Sequence, residues 1–151
     1  MYTHILIPTD GSKLSEYAVK SAVWLAKTLN AHVTGFHAMP STFMPYEGDD
    51  SAALDPDAMN EFVAAATARA NDSLAVVERE AKTVGVPYKT LLATSNTPHE
   101  AVIAAAKNEG CDLIAMASHG RKGLEGILMG SETVKVLTHS TIPVLVYRQA
   151  A

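Results

Sequence analysis

The sequence predicts an α/β protein built on a single open, doubly wound, five-stranded parallel sheet with helices on both faces. Three observations predict it. Five short apolar runs alternate with helical stretches, two of those runs are apolar throughout, and both of these end in small polar residues. Strict alternation calls for crossover helices and therefore for parallel strands. A run apolar at every position, such as Ile5 to Ile7 or Leu113 to Met116, is what a central strand covered on both faces requires.

Residues Thr3 to Ile7 form the first expected strand. Ser12 stands as a cap before Leu14, Ala18, Ala22, Leu25 and Leu29, which share one helical face. Ala31 to Ala38 reads as strand two. Met39 to Asp55 is rich in Pro, Gly, Asp and Ser without a sustained period, and reads as a loop. Asp55-Pro56 sets a cap before proline at the first helical position. Met59, Phe62, Val63, Ala66, Ala70, Leu74, Val77 and Ala81 then carry a long helical stripe to Gly85. Val86 to Ala93 alternates as strand three. Thr97-Pro98-His99-Glu100 has the form of a capping box before a helix from Ala101 to Lys107, which stops at Gly110. Asp112 to Ala117 is strand four, Ser131 to His139 helix four, and Ile142 to Tyr147 strand five.

A length of 151 residues with 48% hydrophobic content suits one domain, residues 1–151, around a single core. The net charge of −4, with no clustered Lys and Arg, argues against a nucleic-acid partner. The N-terminus lacks the cationic and long apolar regions of a signal peptide, and no apolar stretch is long enough to span a bilayer. A soluble cytoplasmic protein with no membrane association is expected. Cys111 is the only cysteine, so no internal disulfide can form, and its place at the start of a strand suits a small core residue.

Chemistry concentrates in residues 117–131, where an apolar run joins a helix through a loop containing Gly120, Gly123, Gly126 and Gly130. Glycines let a backbone approach a ligand closely, and the free N–H groups opening a helix attract an anion. Ser131 adds a hydroxyl where a helix cap belongs. Such a loop also serves as a plain connector; the adjoining strand and helix favour the phosphate reading. The loops Thr9-Asp10-Gly11-Ser12 and Ser118-His119-Gly120 follow the two central strands, and open parallel sheets bind ligands at strand C-termini where the winding reverses.

Several phosphate-binding families are excluded. No Lys-Ser/Thr pair follows the last glycine, as a Walker A loop requires. The dinucleotide glycine pattern is absent after strand one. A receiver domain would need an acidic residue and a lysine where Thr94 and Tyr147 stand. His37 stands alone at a strand end. His119, Arg121 and Lys122 are either phosphate contacts or ordinary loop residues. Met39, Met44 and Met59, with Phe43 and Tyr46, either cover a ligand or pack against the long helix.

Gly120, nine residues from Arg121 to Met129, and Gly130-Ser131 fit the last three positions of G-x2-G-x9-G-[ST]. Together with the opening Ile5 to Ser12, His37, and the closing Ile142 to Val146, they resemble the universal stress protein family across essentially the whole chain. The resemblance implies strand order 3-2-1-4-5, a homodimer joined through the last strand (here Val144, Leu145 and Val146), and ATP or AMP with Mg²⁺ bound between strands one and four. Carried over, it puts Pro8, Thr9 and Asp10 on the adenosine or metal side and Ala38 beside the adenine. Met116, Ala117 and His119 fall at the end of strand four, and Gly120, Gly130, Ser131, Glu132 and Thr133 around the phosphates.

Asp10 is either a ligand of nucleotide-borne Mg²⁺ or a turn aspartate near Ser12. Ala117 departs from the pattern, standing where the family's first motif glycine would be. Its methyl either crowds the ligand, costing about 1–3 kcal/mol, or packs harmlessly in the strand. No Ser/His/Asp or Cys/His nucleophile arrangement and no clear base for activating water are visible. The implied function is an adenine-nucleotide-binding, dimeric stress-response or signalling protein, at most a slow ATPase. The alternative is a nucleotide-free dimeric interaction module of the same fold.

Overall fold

The computed structural model describes residues 1–41, 56–119 and 129–148. In chain order the elements are β1 (His4–Pro8), α1 (Lys13–Leu29), β2 (His32–Met39), α2 (Pro56–Val84), β3 (Tyr88–Thr94), α3 (Pro98–Asn108), β4 (Leu113–Ala117), α4 (Ser131–His139) and β5 (Val144–Tyr147). The strands form one sheet in the order β3-β2-β1-β4-β5, and every neighbouring pair is parallel. β1 and β4 lie at the centre as their apolar runs require, with Ile5, Leu6, Ile7, Ile114 and Ala115 wholly excluded from solvent.

Strand alternation divides the core in two. Ile5, Ile7, Val33, Leu113 and Ala115 face α1 and α2, packing on Val19, Val23 and Val77. Leu6, Phe36, Ile114 and Met116 face α3 and α4, packing on Val102, Ile103, Ala106 and Val136. The helices therefore cover both faces. α2 lies close over β2, where a Cβ at Gly35 would come within 3.0 Å of the Val77 methyls, so glycine permits that approach.

Element ends depart from the expected boundaries where backbone donors are lacking or diverted. β3 begins at Tyr88 rather than Val86, because the Val86 N–H closes the end of α2 on the Ala81 carbonyl and Pro87 has no N–H to give a ladder. β5 begins at Val144 rather than Ile142. Ser140 Oγ accepts from the Ile142 N–H at 3.0 Å and donates to the Ile142 carbonyl at 2.8 Å, so that segment is a turn. The cap expected at Asp55 lies outside the described residues.

Two helix details overturn the sequence reading. The stripe on α2 is buried only from Ala66 onward, and Phe62 and Val63 are each 36% exposed. A 29-residue helix spans roughly 43 Å whereas the eight residues of β2 span roughly 26 Å, so the first turns overrun the sheet. The capping box at Thr97 does not form. α3 starts at Pro98 rather than Ala101, and the Thr97 hydroxyl donates to Glu100 Oε2 at 3.1 Å instead of accepting from the helix backbone.

Candidate functional site

The winding direction of the sheet reverses between β1 and β4, and a cleft of about 740 Å³ opens at their carboxyl ends. Its floor is apolar, made by Phe36, Ala38, Val102, Met116 and Val136. Its rim is polar and is supplied by three chain segments that leave the sheet or enter a helix.

The first segment follows β1. Pro8 ends the strand, and the Thr9 N–H crosses to the Phe36 carbonyl at 2.9 Å. Asp10 Oδ1 accepts the Ser12 N–H at 3.0 Å, and Ser12 Oγ caps α1 by accepting from the Ser15 N–H at 3.2 Å. The buried hydroxyls of Thr9 and Ser15 stand 3.1 Å apart on the cleft wall. Asp10 is thus a turn aspartate that also lines the cleft.

The second and third segments join β4 to α4. The Gly130 N–H donates to the Ser118 carbonyl at 2.7 Å, drawing the start of α4 against the exit of β4. A Cβ at Gly130 would stand 3.2 Å from His119 Cα and 3.3 Å from His119 Cβ, tighter than packed atoms normally come, so this approach favours glycine. Gly130, not Ser131, is the N-cap residue; Ser131 is the first helical residue. The helical ladder opens with the Val134 N–H on the Gly130 carbonyl at 3.1 Å. The N–H groups of Ser131, Glu132 and Thr133 therefore precede the ladder at the positive end of the helix dipole. The buried Thr133 hydroxyl donates to the Ala117 carbonyl at 3.1 Å and fastens this end of α4 to the sheet.

Side chains on the rim are more committed than the sequence suggests. Glu132 turns toward α3. Its Oε2 accepts the His99 N–H at 2.9 Å and lies 3.0 Å from His99 Nδ1, while Oε1 accepts from Lys135 Nζ at 2.9 Å. Burial raises the Glu132 pKa, but the hydrogen bonds from Lys135 and His99 outweigh it, and the carboxyl titrates below its ordinary value. Glu132 thereby gives α3 the N-terminal acceptor that Thr97 withholds. His119 lies half-buried, with Nδ1 3.2 Å from the Ser118 hydroxyl.

Ala117 lines the cleft, yet its side chain packs with Leu14, Ala18 and Tyr147. Strand alternation explains this, since Met116 faces α3 and α4 and its successor must face α1. The methyl fills a joint behind the sheet and leaves the apolar floor to Met116.

The cleft gathers Pro8, Thr9, Asp10, Ala38, Met116, Ala117, His119, Gly130, Ser131, Glu132 and Thr133. Gly120, Arg121 and Lys122 lie outside the described residues, as do Phe43, Met44 and Tyr46. Sequence reasoning missed Phe36, Val102 and Val136, whose apolar character marked them only as core, and His99, concealed within the apparent capping box. Among the described residues no three His, Cys, Asp or Glu side chains stand together as a metal site. Asp10 beside the Thr9 and Ser15 hydroxyls, with Glu132 engaged by His99 and Lys135, suits a Mg²⁺ ion carried in by phosphates better than a cation held by protein alone. No described helix is long and apolar enough to cross a membrane.

The family model described as "Universal stress protein family" matches residues 1–148. A universal stress protein of Methanocaldococcus jannaschii is 33% identical, covering 99% of this chain and 96% of the relative. A solved structure of MJ0577, described as a hypothetical protein, superposes with a TM-score of 0.80 at 30% identity, covering 100% and 99% of the two chains. The universal stress protein UspA of Lactobacillus plantarum gives a TM-score of 0.81 at 26% identity over 97% and 98%. A universal stress protein of Archaeoglobus fulgidus, solved in complex with dAMP, shares the fold with a TM-score of 0.66 at 17% identity over 97% and 98%.

Proposed function

The chain belongs to the universal stress protein family, and from that premise we propose that it binds an adenine nucleotide, ATP or AMP, in the cleft between β1 and β4. The observation that carries this reading is the amino end of α4. Three N–H groups that precede the helical ladder belong to residues lining a cleft at the switch point of the sheet, and Gly130 sets them close against the end of β4. Such a terminus binds phosphate without needing a cationic side chain. The base then rests on the apolar floor, beside Phe36, Ala38 and Met116.

Asp10 would hold Mg²⁺ through its carboxylate if the ion arrived with phosphates, and the ion would supply charge neutralisation there. Gly120 completes the phosphate loop in this reading. The position of the Ala117 methyl against α1 supports nucleotide binding over a nucleotide-free module, because the departure from glycine adds bulk on the face away from the floor. That a relative of the same fold holds dAMP is consistent with the cleft's shape.

The protein acts in the cytoplasm as a homodimer through β5, an edge strand on which Leu145 is 37% exposed, and exposed edges favour pairing. It works by its bound state, with turnover slow at most. Heat-denaturing the purified protein and chromatographing the released small molecules is the test, followed by titration with ATP and AMP with and without Mg²⁺. Co-purified adenine nucleotide or saturable binding is expected; absence of both would overturn the proposal. Sedimentation at micromolar concentration is expected to give a dimer.

A further inference from the structure

On the cleft wall, α3 and α4 are joined by a polar side-chain pair, His99 and Glu132, in which His99 has no place in the family motif. His99 stands between two carboxylates: Nδ1 is 3.0 Å from Glu132 Oε2, and Nε2 is 4.0 Å from Glu100 Oε1. Its side chain is only 14% exposed. The His99 backbone N–H adds a second bond to the same Glu132 oxygen. Glu132 directly follows Ser131, so whatever holds this carboxylate also sets the direction of the first amides of α4.

We propose that the His99–Glu132 pair is a positioning device for the anion site. It ties the amino end of α4 to that of α3 so that the Ser131, Glu132 and Thr133 amides face the phosphate, and it tightens when His99 gains a second proton. The inference rests on the nucleotide reading above. With Nδ1–H donated to Glu132, the neutral ring has an acceptor at Nε2 facing Glu100. A proton placed there makes an imidazolium between two carboxylates, converts the Glu132 contact to a charge-assisted bond, and removes one unit of negative charge from the cleft rim.

The remaining charged groups around His99 set the balance. Lys135 on α4 shares Glu132, Lys107 on α3 borders the same depression, and the His139 ring lies 6.0 Å away, centroid to centroid. These three oppose protonation and the two carboxylates favour it. Nucleotide affinity is expected to be higher where the His99 ring carries its second proton.

The test is calorimetric titration of AMP into the full-length protein at about pH 8 and about pH 6, on either side of the ordinary histidine value. His99→Ala is expected to weaken binding about tenfold at both, the scale of one lost charge-assisted hydrogen bond. His99→Asn, whose amide N–H reaches Glu132 as Nδ1–H does, is expected to restore part of that loss but to lack the wild-type gain on acidification. Protonation of the ligand is common to wild type and His99→Asn, so the difference between their profiles reports on His99. If His99→Ala fails to fold, Glu132→Gln serves instead. It keeps an acceptor for the His99 N–H, removes the charge, and is expected to flatten the profile. Variant profiles that superpose on wild type would overturn the proposal while leaving nucleotide binding intact. A flat wild-type titration would remove the nucleotide reading and this inference with it.

Discussion

At the amino ends of the strands, Asp112 accepts from the Thr3 N–H and hydroxyl at 2.8 Å each and from the His4 N–H at 2.9 Å, and His4 Nε2 lies 2.7 Å from the Thr34 hydroxyl. At the carboxyl ends, the first three residues of α4, whose amides precede the helical ladder, line a cleft that a turn aspartate borders. One end closes its polar groups on one another; the other holds them ready for something else. Both ends belong to the same five-stranded sheet. The contrast yields opposite expectations for similar lesions.

Asp112→Ala removes the acceptor for three donors at once. It is expected to cost about 2 kcal/mol of unfolding free energy, discounted for partial exposure, and to leave nucleotide affinity unchanged, as denaturant melts and titration will show. Gly130→Ala puts a Cβ 3.2 Å from His119 Cα, so the neighbouring backbone must give by a few tenths of an ångström where α4 enters the cleft. Here nucleotide affinity is expected to fall about tenfold, and stability by about 1 kcal/mol. Equal losses of affinity in both variants would erase the distinction between the two ends.

Acid provides a third, smaller comparison. Burial, followed by the nearby His32 and Lys89 charges, lowers the His4 pKa below 6.5 against a smaller opposing effect of Asp112. The neutral ring is thus favoured in the folded state. The unfolded chain binds the proton first, so this contribution is fully present above pH 6.5 and is lost as pH falls from there through the lower folded value. His4 stacks on His32 with ring centroids 3.8 Å apart, so a second positive charge would meet the first at close range. Melting temperatures across this interval are expected to fall less steeply for His4→Gln than for wild type. Ala117→Gly is expected to have the smallest effect. Losing a methyl packed on Leu14, Ala18 and Tyr147 and gaining backbone freedom costs about 1 kcal/mol of stability, while nucleotide affinity stays within about twofold, well below the scale of a lost hydrogen bond.

The sheet was largely legible in the sequence because β1 and β4 carry their position in their composition; a strand apolar on both faces has nowhere to go but the centre. Strand order followed from the family resemblance rather than from spacing. Boundaries failed at Val86 and Ile142, where a single N–H serves a helix end or a turn instead of the ladder. Phe62 failed because periodicity marks a face but not how far a neighbouring sheet extends. In the cleft, the glycine-to-helix pattern pointed to Gly130 and Ser131, and both line it, since backbone close approach leaves a trace in residue choice. The His99–Glu132 pair left none. Its partners are 33 residues apart, and Thr97 with Glu100 offered a local explanation for the start of α3 that the fold does not use.

The most direct test of the central claim is an amide-resolved NMR titration of the protein with AMP. Ser131, Glu132 and Thr133 amides are expected to shift saturably with one dissociation constant, while the amides of Thr3, His4 and Thr34 at the opposite end of the sheet stay in place. Saturable shifts at the amino ends of the strands, or none at α4, would contradict the assignment of the anion site to that helix.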